Sequence, residues 1–576
     1  MRGGILINLK INGIAVSVPE GSTILDAAKL AGIRIPTLCY LKDVQCVGSC
    51  RMCLVEATGA RGLVAACVYP VSEGMEVRTN TPKVRKSRKT TVELILSTHK
   101  KKCLSCVRSM NCELQKLALE YNAEEDRFGT DHDLKPIDDL SASVVRDNSK
   151  CVMCTRCVAA CDKQTIGAIG PKTRGYAKVI GSPYDVPLAV TSCVNCGQCV
   201  VACPVGALYE KSSVADVWGA IVDPTKHVVF FTAPSVRATL GEAFGLPVGT
   251  NVEGKMVTAI KQLGDIKCFD MDNTADLTIM EEATELLTRI QKGGKLPMFT
   301  SCCPGWIKFA EHYYPELLPN LSTCKSPQEM FSALLKTYYC EKNGIKPEDL
   351  YVVSVIPCTA KKFEVTRDEL GHYTDAALTT RELAKMIKEA GIDFANIPDS
   401  EYDLPFGEAS GAGAIFGATG GVMEAALRTA AYKLGGSGAP IEFKEVRGTQ
   451  GVKEAEYKVG KATVKVAVAS GLDNARKVIE AVKSGEKDYT FIEIMACPGG
   501  CINGGGQPYV HDEIRNNVDL KALRAQALYN YDKERKVRCS HDTPAVEILY
   551  KEFFGEPNSH KSHELLHTTY TKRPKY

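Results

Sequence analysis

Beyond about residue 215 the chain alternates short, almost continuous apolar runs with longer amphipathic stretches. The runs are HVVFFTAP (227–234), KLPMFTS (295–301), YVVSVIP (351–357), TVKVAVASG (463–471) and TFIEIMA (490–496). Runs this short, rich in β-branched and aromatic residues, read as buried strands. Between them, stretches such as TIMEEATELLTRIQK repeat their apolar residues at helical spacing. The alternation predicts an α/β unit. The N-terminus is patterned differently. Residues 4–11 and 14–18 alternate like two strands around an Asn12-Gly13 turn, and Ser22 is expected to cap the helix TILDAAKLAGI. That order is β-grasp-like. Residues 123–149 are polar and aperiodic and read as a linker or surface loop.

Composition narrows the function. The 576 residues, 44% of them hydrophobic, suffice for several domains with real cores. With 71 basic against 68 acidic residues the formal charge is only +3, so no global field recruits nucleic acid or a membrane surface. No apolar run reaches the roughly 18 residues of a membrane span. The opening residues MRGGILINLKINGIAV lack a secretory apolar core, so a cytosolic location is expected. There, the 25 cysteines are better read as metal ligands or catalytic thiols than as disulfides. Sixteen of them fall in tight groups within the first 203 residues; nine are spread over the rest. One segment departs from neutrality: residues 82–102 carry eight Lys/Arg against one Glu.

The first group is Cys39, Cys50, Cys53 and Cys67, four soft thiolates able to hold zinc or a 2Fe-2S cluster, with Cys46 left as a bystander. Its spacing resembles the 2Fe-2S domain of the large iron–sulfur subunit of respiratory complex I. The second is His99, Cys103, Cys106 and Cys112, on or just after a basic helix; it suits a 4Fe-4S cluster or a zinc knuckle of three cysteines and one histidine, and again resembles that subunit. An imidazole in place of one thiolate makes a cluster less negative and raises its potential. The third is the most specific. Cys151, Cys154, Cys157 and Cys161, then Cys193, Cys196, Cys199 and Cys203 with Pro204, form two C-x2-C-x2-C-x3-C runs of the bacterial two-cluster ferredoxin kind. In such repeats the fourth cysteine of each run serves the other cluster. Cys203 is therefore expected to join Cys151, Cys154 and Cys157, and Cys161 to join Cys193, Cys196 and Cys199.

Three further motifs, TSCCPGW (300–306), IPCTAKKFE (356–364) and EIMACPGGCINGGGQP (493–508), each follow a predicted strand directly. Loops beyond the carboxyl ends of strands in an open α/β sheet can converge on one crevice. In order and type these motifs resemble the catalytic domain of FeFe hydrogenases, and with the N-terminal groups the resemblance covers essentially the whole chain. It implies multidomain α+β and α/β architecture: a β-grasp 2Fe-2S domain at 1–80, a domain with one histidine and three cysteines as cluster ligands at 81–122, a two-cluster ferredoxin domain at 141–212 and a catalytic domain at 215–576. It implies an H-cluster, a 4Fe-4S cubane joined to a two-iron site with CO, cyanide and a dithiolate amine, ligated by Cys303, Cys358, Cys497 and the bridging Cys501. It places Lys361, Ser235, Gln328 and Met495 around the two-iron site. It assigns Cys302 as the acid–base thiol, whose ordinary pKa suits proton exchange, and runs a proton path through Glu282, Ser322 and Glu285 to Arg289.

The implied activity is reversible oxidation of H2, with electrons passing through one 2Fe-2S and three 4Fe-4S clusters. Ferredoxin is one implied partner; a flavin- and NAD(P)H-binding subunit with a small 2Fe-2S subunit is the other, and maturation proteins must build the two-iron site. The basic stretch 82–102 is a candidate docking face. A non-catalytic iron–sulfur electron-transfer or hydrogen-sensing subunit would share the ligands but need neither Cys302 nor the proton path. Two features stand apart from the family pattern: Ile356 sits where a methionine is usual, and GAGAIFGATGG (411–421) mimics a dinucleotide fingerprint without its preceding strand, and reads as a close-packing helix entry near the H-cluster.

Overall fold

The computed structural model describes residues 5–129, 136–435, 441–459 and 462–575. The N-terminal strands Leu6–Ile11 and Ile14–Pro19 form the expected hairpin. Its turn is made by Asn12 and Gly13, both at positive φ (50° and 87°). Residue 4, the expected start of the first strand, lies outside the described residues. Strands Glu76–Arg78, Leu54–Ala57 and Val64–Ala65 extend the hairpin to a five-stranded sheet. Helix Ile24–Leu30 is capped by Thr23, not Ser22. The Ser22 hydroxyl turns back to donate to the Pro19 carbonyl (2.7 Å), so Thr23 and Asp26 make the reciprocal capping contacts instead.

Helix Pro82–Ser97 follows, and its charge is less available than its composition suggests. Arg88 is buried, with Nη2 donating to the Leu54 carbonyl at 2.7 Å, and Lys89 pairs with Glu124 at 3.1 Å. The stretch 123–149 is not a simple linker. Lys101 pairs with Asp126 (2.9 Å), and Arg127 with the buried Glu93 (2.5 Å). Strand Val144–Asp147 lies wholly buried between Ile137–Asp138 and Leu208–Glu210. Its polar residues are interior because they are paired, Arg146 with Asp138 at 3.0 Å and Asp147 with Lys150 at 3.1 Å. Residues 124–129 are the expected surface loop, but polarity alone misreads the buried stretch 141–149. Residues 130–135 lie outside the description.

The remaining chain builds the expected α/β unit around two four-stranded sheets. In one, Ile266–Asp270, His227–Thr232, Leu350–Ile356 and Ala376–Thr379 all run parallel. In the other, Met298–Phe299, Phe491–Met495 and Ala462–Ser470 run parallel, with Val452–Val459 antiparallel at the edge. The run 295–301 contributes only Met298 and Phe299 to the ladder, since Pro297 has no amide to donate. Both parallel sets point their carboxyl ends at the same region. Helix Asp272–Lys292, longer than its periodic core suggests, passes beside it with twelve buried positions that include Glu281 and Glu282. The C-terminal helices fold back over this body; Arg524 donates to the Ile502 carbonyl (2.8 Å) and pairs with Glu242 (2.6 Å). Among the described residues, no helix is long and apolar enough to cross a membrane.

Candidate active site and the cysteine groups leading to it

Each N-terminal cysteine group is assembled in space. The Sγ atoms of Cys53 and Cys67 lie 3.4 Å apart, and the Cys39 amide points at the Cys50 sulfur at 3.4 Å. Cys46 is exposed, its thiol turned to the Cys67 carbonyl at 2.5 Å. His99, Cys103, Cys106 and Cys112 line one cavity. Cys151, Cys154, Cys157 and Cys203 line another, which brings the fourth cysteine of the second run to the first three of the first. The complementary group behaves alike: the Cys199 thiol is pushed well up by burial and then by Cys196, Cys193 and Cys161. Crowded, buried thiols that raise one another's proton affinity suit a cationic iron cluster, which takes them as thiolates.

The first and second groups each touch the third, and the third touches the larger cavity. Gln45 Nε2 donates to the carbonyls of both Cys39 (2.9 Å) and Cys154 (2.8 Å), bridging the first group to the third. A Cβ on Gly206 would stand 2.5 Å from the Cys106 sulfur, so the second group also abuts the third. At the far end, a Cβ on Gly505 would lie 2.3 Å from the Cys196 carbonyl and 2.6 Å from Gly197 Cα. Thr359 Oγ1 donates to the Asn195 carbonyl at 2.7 Å across the same junction. Glycine at 505 lets two cysteine loops approach at backbone distance.

Beyond that junction lies a cavity of about 80 Å³, larger than a single ion needs. Four strands deliver its walls from their carboxyl ends. His227–Thr232 leads to Ser235, Met298–Phe299 to Cys302 and Cys303, Leu350–Ile356 to Cys358 and Lys361, and Phe491–Met495 to Cys497 and Cys501; all these side chains line the cavity with Gln328, Ile356 and Met495. Phe416 and Gly417 of the glycine-rich run form another wall, at a helix entry. Cys303, Cys358, Cys497 and Cys501 all carry raised thiol pKa values, with burial the largest cause for each. That donor set fits a cubane, and the rest of the cavity leaves room for a second metal unit beside Lys361 and Ser235. Ile356 offers no sulfur there, while Met495 does.

Lys361 is held in place by an acid to which the sequence pattern assigns no role. Its Nζ lies 2.6 Å from Glu364 Oε2, which also accepts from Ser326 (3.0 Å) and Gln328 (3.2 Å). Burial works against the ammonium, but Glu364, then Glu329 and Cys358, outweigh it and hold its pKa above the ordinary lysine value. Gln507 is a second such residue. It accepts from Thr239 (2.7 Å) and donates to the Cys501 carbonyl (3.0 Å), fixing the loop of that ligand. Glu364 closes the motif IPCTAKKFE one helical turn from Lys361, and Gln507 lies within the motif 493–508, but neither role can be read from the motif.

From the cavity wall a row of proton-bearing groups leads outward. The Cys302 thiol is pushed well above its ordinary pKa by burial first and Glu282 second, which corrects the expectation of an unperturbed thiol. Glu282 is 1% exposed, and burial, then Glu285, push its carboxyl up to about 8. Its Oε2 has no hydrogen-bond partner among the described residues. Ser322 Oγ donates to Glu285 Oε2 at 2.9 Å, and Glu285 Oε1 accepts from Arg289 at 2.6 Å, where both side chains reach solvent in part. Glu282 and Glu285 do share a helix face, but it is an interior one.

Comparison with known proteins shows the family and its domains. Residues 226–505 match the C-terminal domain of the iron only hydrogenase large subunit, and 518–573 the iron hydrogenase small subunit. Residues 5–82 match a 2Fe-2S iron-sulfur cluster binding domain, 88–127 the NADH-ubiquinone oxidoreductase-G iron-sulfur binding region and 190–209 a 4Fe-4S binding domain. The NADP-reducing hydrogenase subunit HndD of Solidesulfovibrio fructosivorans is 47% identical over 99% of this chain and 99% of its own. Iron hydrogenase 1 of Clostridium pasteurianum is 45% identical over 98% of this chain and 99% of its own. A solved apo [FeFe]-hydrogenase from Chlamydomonas reinhardtii, 40% identical, superposes with a TM-score of 0.57 over 63% of this chain and 100% of that one.

Proposed function

The chain belongs to the iron-only, or FeFe, hydrogenase family, with iron–sulfur-binding domains ahead of an H-cluster catalytic domain, and from that premise we propose which residues carry the reaction. The reaction combines two protons and two electrons into H2 and runs in both directions. When bound, the H-cluster supplies the redox-active iron at which those protons and electrons meet. Cys303, Cys358, Cys497 and Cys501 would hold it. Lys361, fixed by Glu364, would offer a cation to its anionic ligands, and Ser235, Gln328 and Met495 would line its surroundings.

Cys302 exchanges a proton with the cavity and Glu282 recharges it. Ser322 and Glu285 pass the proton on, and Arg289 holds Glu285 at the surface end. The observation that carries this reading is that row of groups, from a buried neutral thiol to a carboxylate in partial contact with solvent. Electrons would travel through one 2Fe-2S cluster on Cys39, Cys50, Cys53 and Cys67 and three 4Fe-4S clusters on the remaining N-terminal groups. These correspond to domains at 1–80, 81–122 and 141–212, with catalysis at 215–576. The test is H2 evolution from reduced methyl viologen by maturase-treated chain. A chain carrying its full iron that made no H2 would overturn the reading.

The name of HndD, an NADP-reducing hydrogenase subunit, supports an NAD(P)-linked partner beside ferredoxin; a flavoprotein subunit with a small 2Fe-2S subunit and a cytosolic setting are part of this reading. Native purification decides between them: a copurifying flavoprotein is expected, and an isolated chain active with ferredoxin would contradict it.

A further inference from the structure

Near the C-terminus the sequence reads His563-Glu564-Leu565-Leu566-His567, an H-E-x-x-H pattern that on a helix sets two imidazoles one turn apart, as in zinc enzymes. In this fold the pattern is used differently. Helix His560–Leu566 stops before His567, whose backbone is extended (φ −114°, ψ 165°). The two rings lie 4.3 Å apart between centroids, with His563 exposed and His567 only 6% exposed. His567 faces inward, onto two side chains from distant parts of the chain. One ligand atom from each of Glu285, Cys324 and His567 lies within 4.8 Å of the other two. Cys324 is fully buried, pairs its backbone with His567, and sets its sulfur 4.0 Å from Glu285 Oε2.

Thiolate, imidazole and carboxylate together are a zinc donor set. A tetrahedral ion with bonds of about 2.0–2.3 Å would hold such donors roughly 3.3–3.8 Å apart, so closure asks for shifts of about 1 Å. The imidazole is already oriented. Its Nδ1 lies 2.7 Å from Thr323 Oγ1 and its Nε2 3.2 Å from Glu281 Oε2, so whichever nitrogen takes a metal, the other keeps a fixed partner. Glu281 is itself anchored by the Tyr550 hydroxyl (2.6 Å) and the Asn558 amide (2.7 Å). Glu285 keeps 12% of its side chain exposed, which supplies an entry and a fourth position for water.

We propose that Glu285, Cys324 and His567 form a zinc(II) site at the outer end of the proton path, and that filling it stops proton delivery. Binding exchanges the Cys324 thiol proton for the metal and places a dication on the carboxylate to which Ser322 donates, so Glu285 can no longer pass a proton. The inhibitory half rests on the proton path proposed above; the site itself does not.

The experiment uses holoenzyme whose iron content is complete, so that cluster cysteines are occupied, equilibrated with zinc chloride and desalted. One chelator-removable zinc per chain is expected, with a zinc-edge X-ray absorption spectrum showing a single sulfur at about 2.3 Å and the remaining ligands nitrogen or oxygen. H2 evolution should fall at least tenfold and return with chelator. Cys324→Ala and His567→Gln should each require at least tenfold more zinc for the same fractional loss, measured against their own zinc-free rates. A spectrum with no sulfur or with several, or zinc binding unchanged in both variants, overturns the site. Because Cys539, His541 and Asp542 could also give a one-sulfur spectrum, Cys539→Ala is the control and should leave zinc binding unchanged; loss of the zinc in that variant overturns the site. One zinc with one sulfur but an undiminished rate keeps the site and instead overturns the path through Glu285.

Discussion

Cys302 and Cys303 are adjacent, line the same cavity and are expected to do opposite things, one moving a proton and the other holding metal. What separates them is the neighbour: Cys302 feels Glu282 most strongly after burial, whereas Cys303 accepts from the backbone of Ala496. Cys302→Ser should therefore lower H2 evolution by about 10²–10⁴-fold with iron content unchanged, the usual scale for losing a positioned acid–base group; a full rate would remove the thiol from the path. Glu282 gives a pH test. Its pKa of about 8 in the fold lies above the ordinary glutamate value near 4.3, so the native chain holds an extra proton between these values. Stability supplied by that proton is lost as pH rises through this window. The thermal midpoint of Glu282→Gln should accordingly gain on wild type between pH 5 and pH 8. A constant difference would mean the carboxyl is not perturbed. At this scale cysteine spacing was highly legible, because clusters demand fixed sets of ligands. Glu364 and Gln507 were not, since their roles depend on which strand ends meet.

Among the elements, the loop carrying Cys196 and the loop carrying Cys497 and Cys501 meet at backbone distance. Gly505→Ala would drive a Cβ to 2.3 Å from the Cys196 carbonyl, and the backbone there cannot swing aside as a side chain would. A loss of about 1–3 kcal/mol of stability is expected, typical of overpacking, read from chemical denaturation; an unchanged midpoint would show that the loops are not in contact. The basic helix Pro82–Ser97 is the other informative element. Arg88 props the Leu54 carbonyl, so reversing it would test folding; Lys83, Arg85 and Lys86 are exposed. Reversing those three should slow reduction by an acidic ferredoxin and flatten its salt dependence. If both stay the same, the helix is not a docking face. Strands and helices with strong periodicity were readable from sequence. The buried strand Val144–Asp147 was hidden because its charges are paired, and the division into two sheets was not legible because nothing local to a strand says which neighbour it joins.

For the whole molecule, the first and second cysteine groups both meet the third, which meets the cavity, through Gln45, Gly206 and Gly505, and the proposed proton path begins at that cavity. An electron carrier needs the first part only, and the second makes a catalyst. The most direct measurement is H2 evolution from reduced methyl viologen by the fully matured chain, with iron determined on the same sample. The account predicts sustained H2 production at roughly twenty irons per chain, the sum over the clusters assigned to these ligand sets. Full iron with no H2 would contradict it.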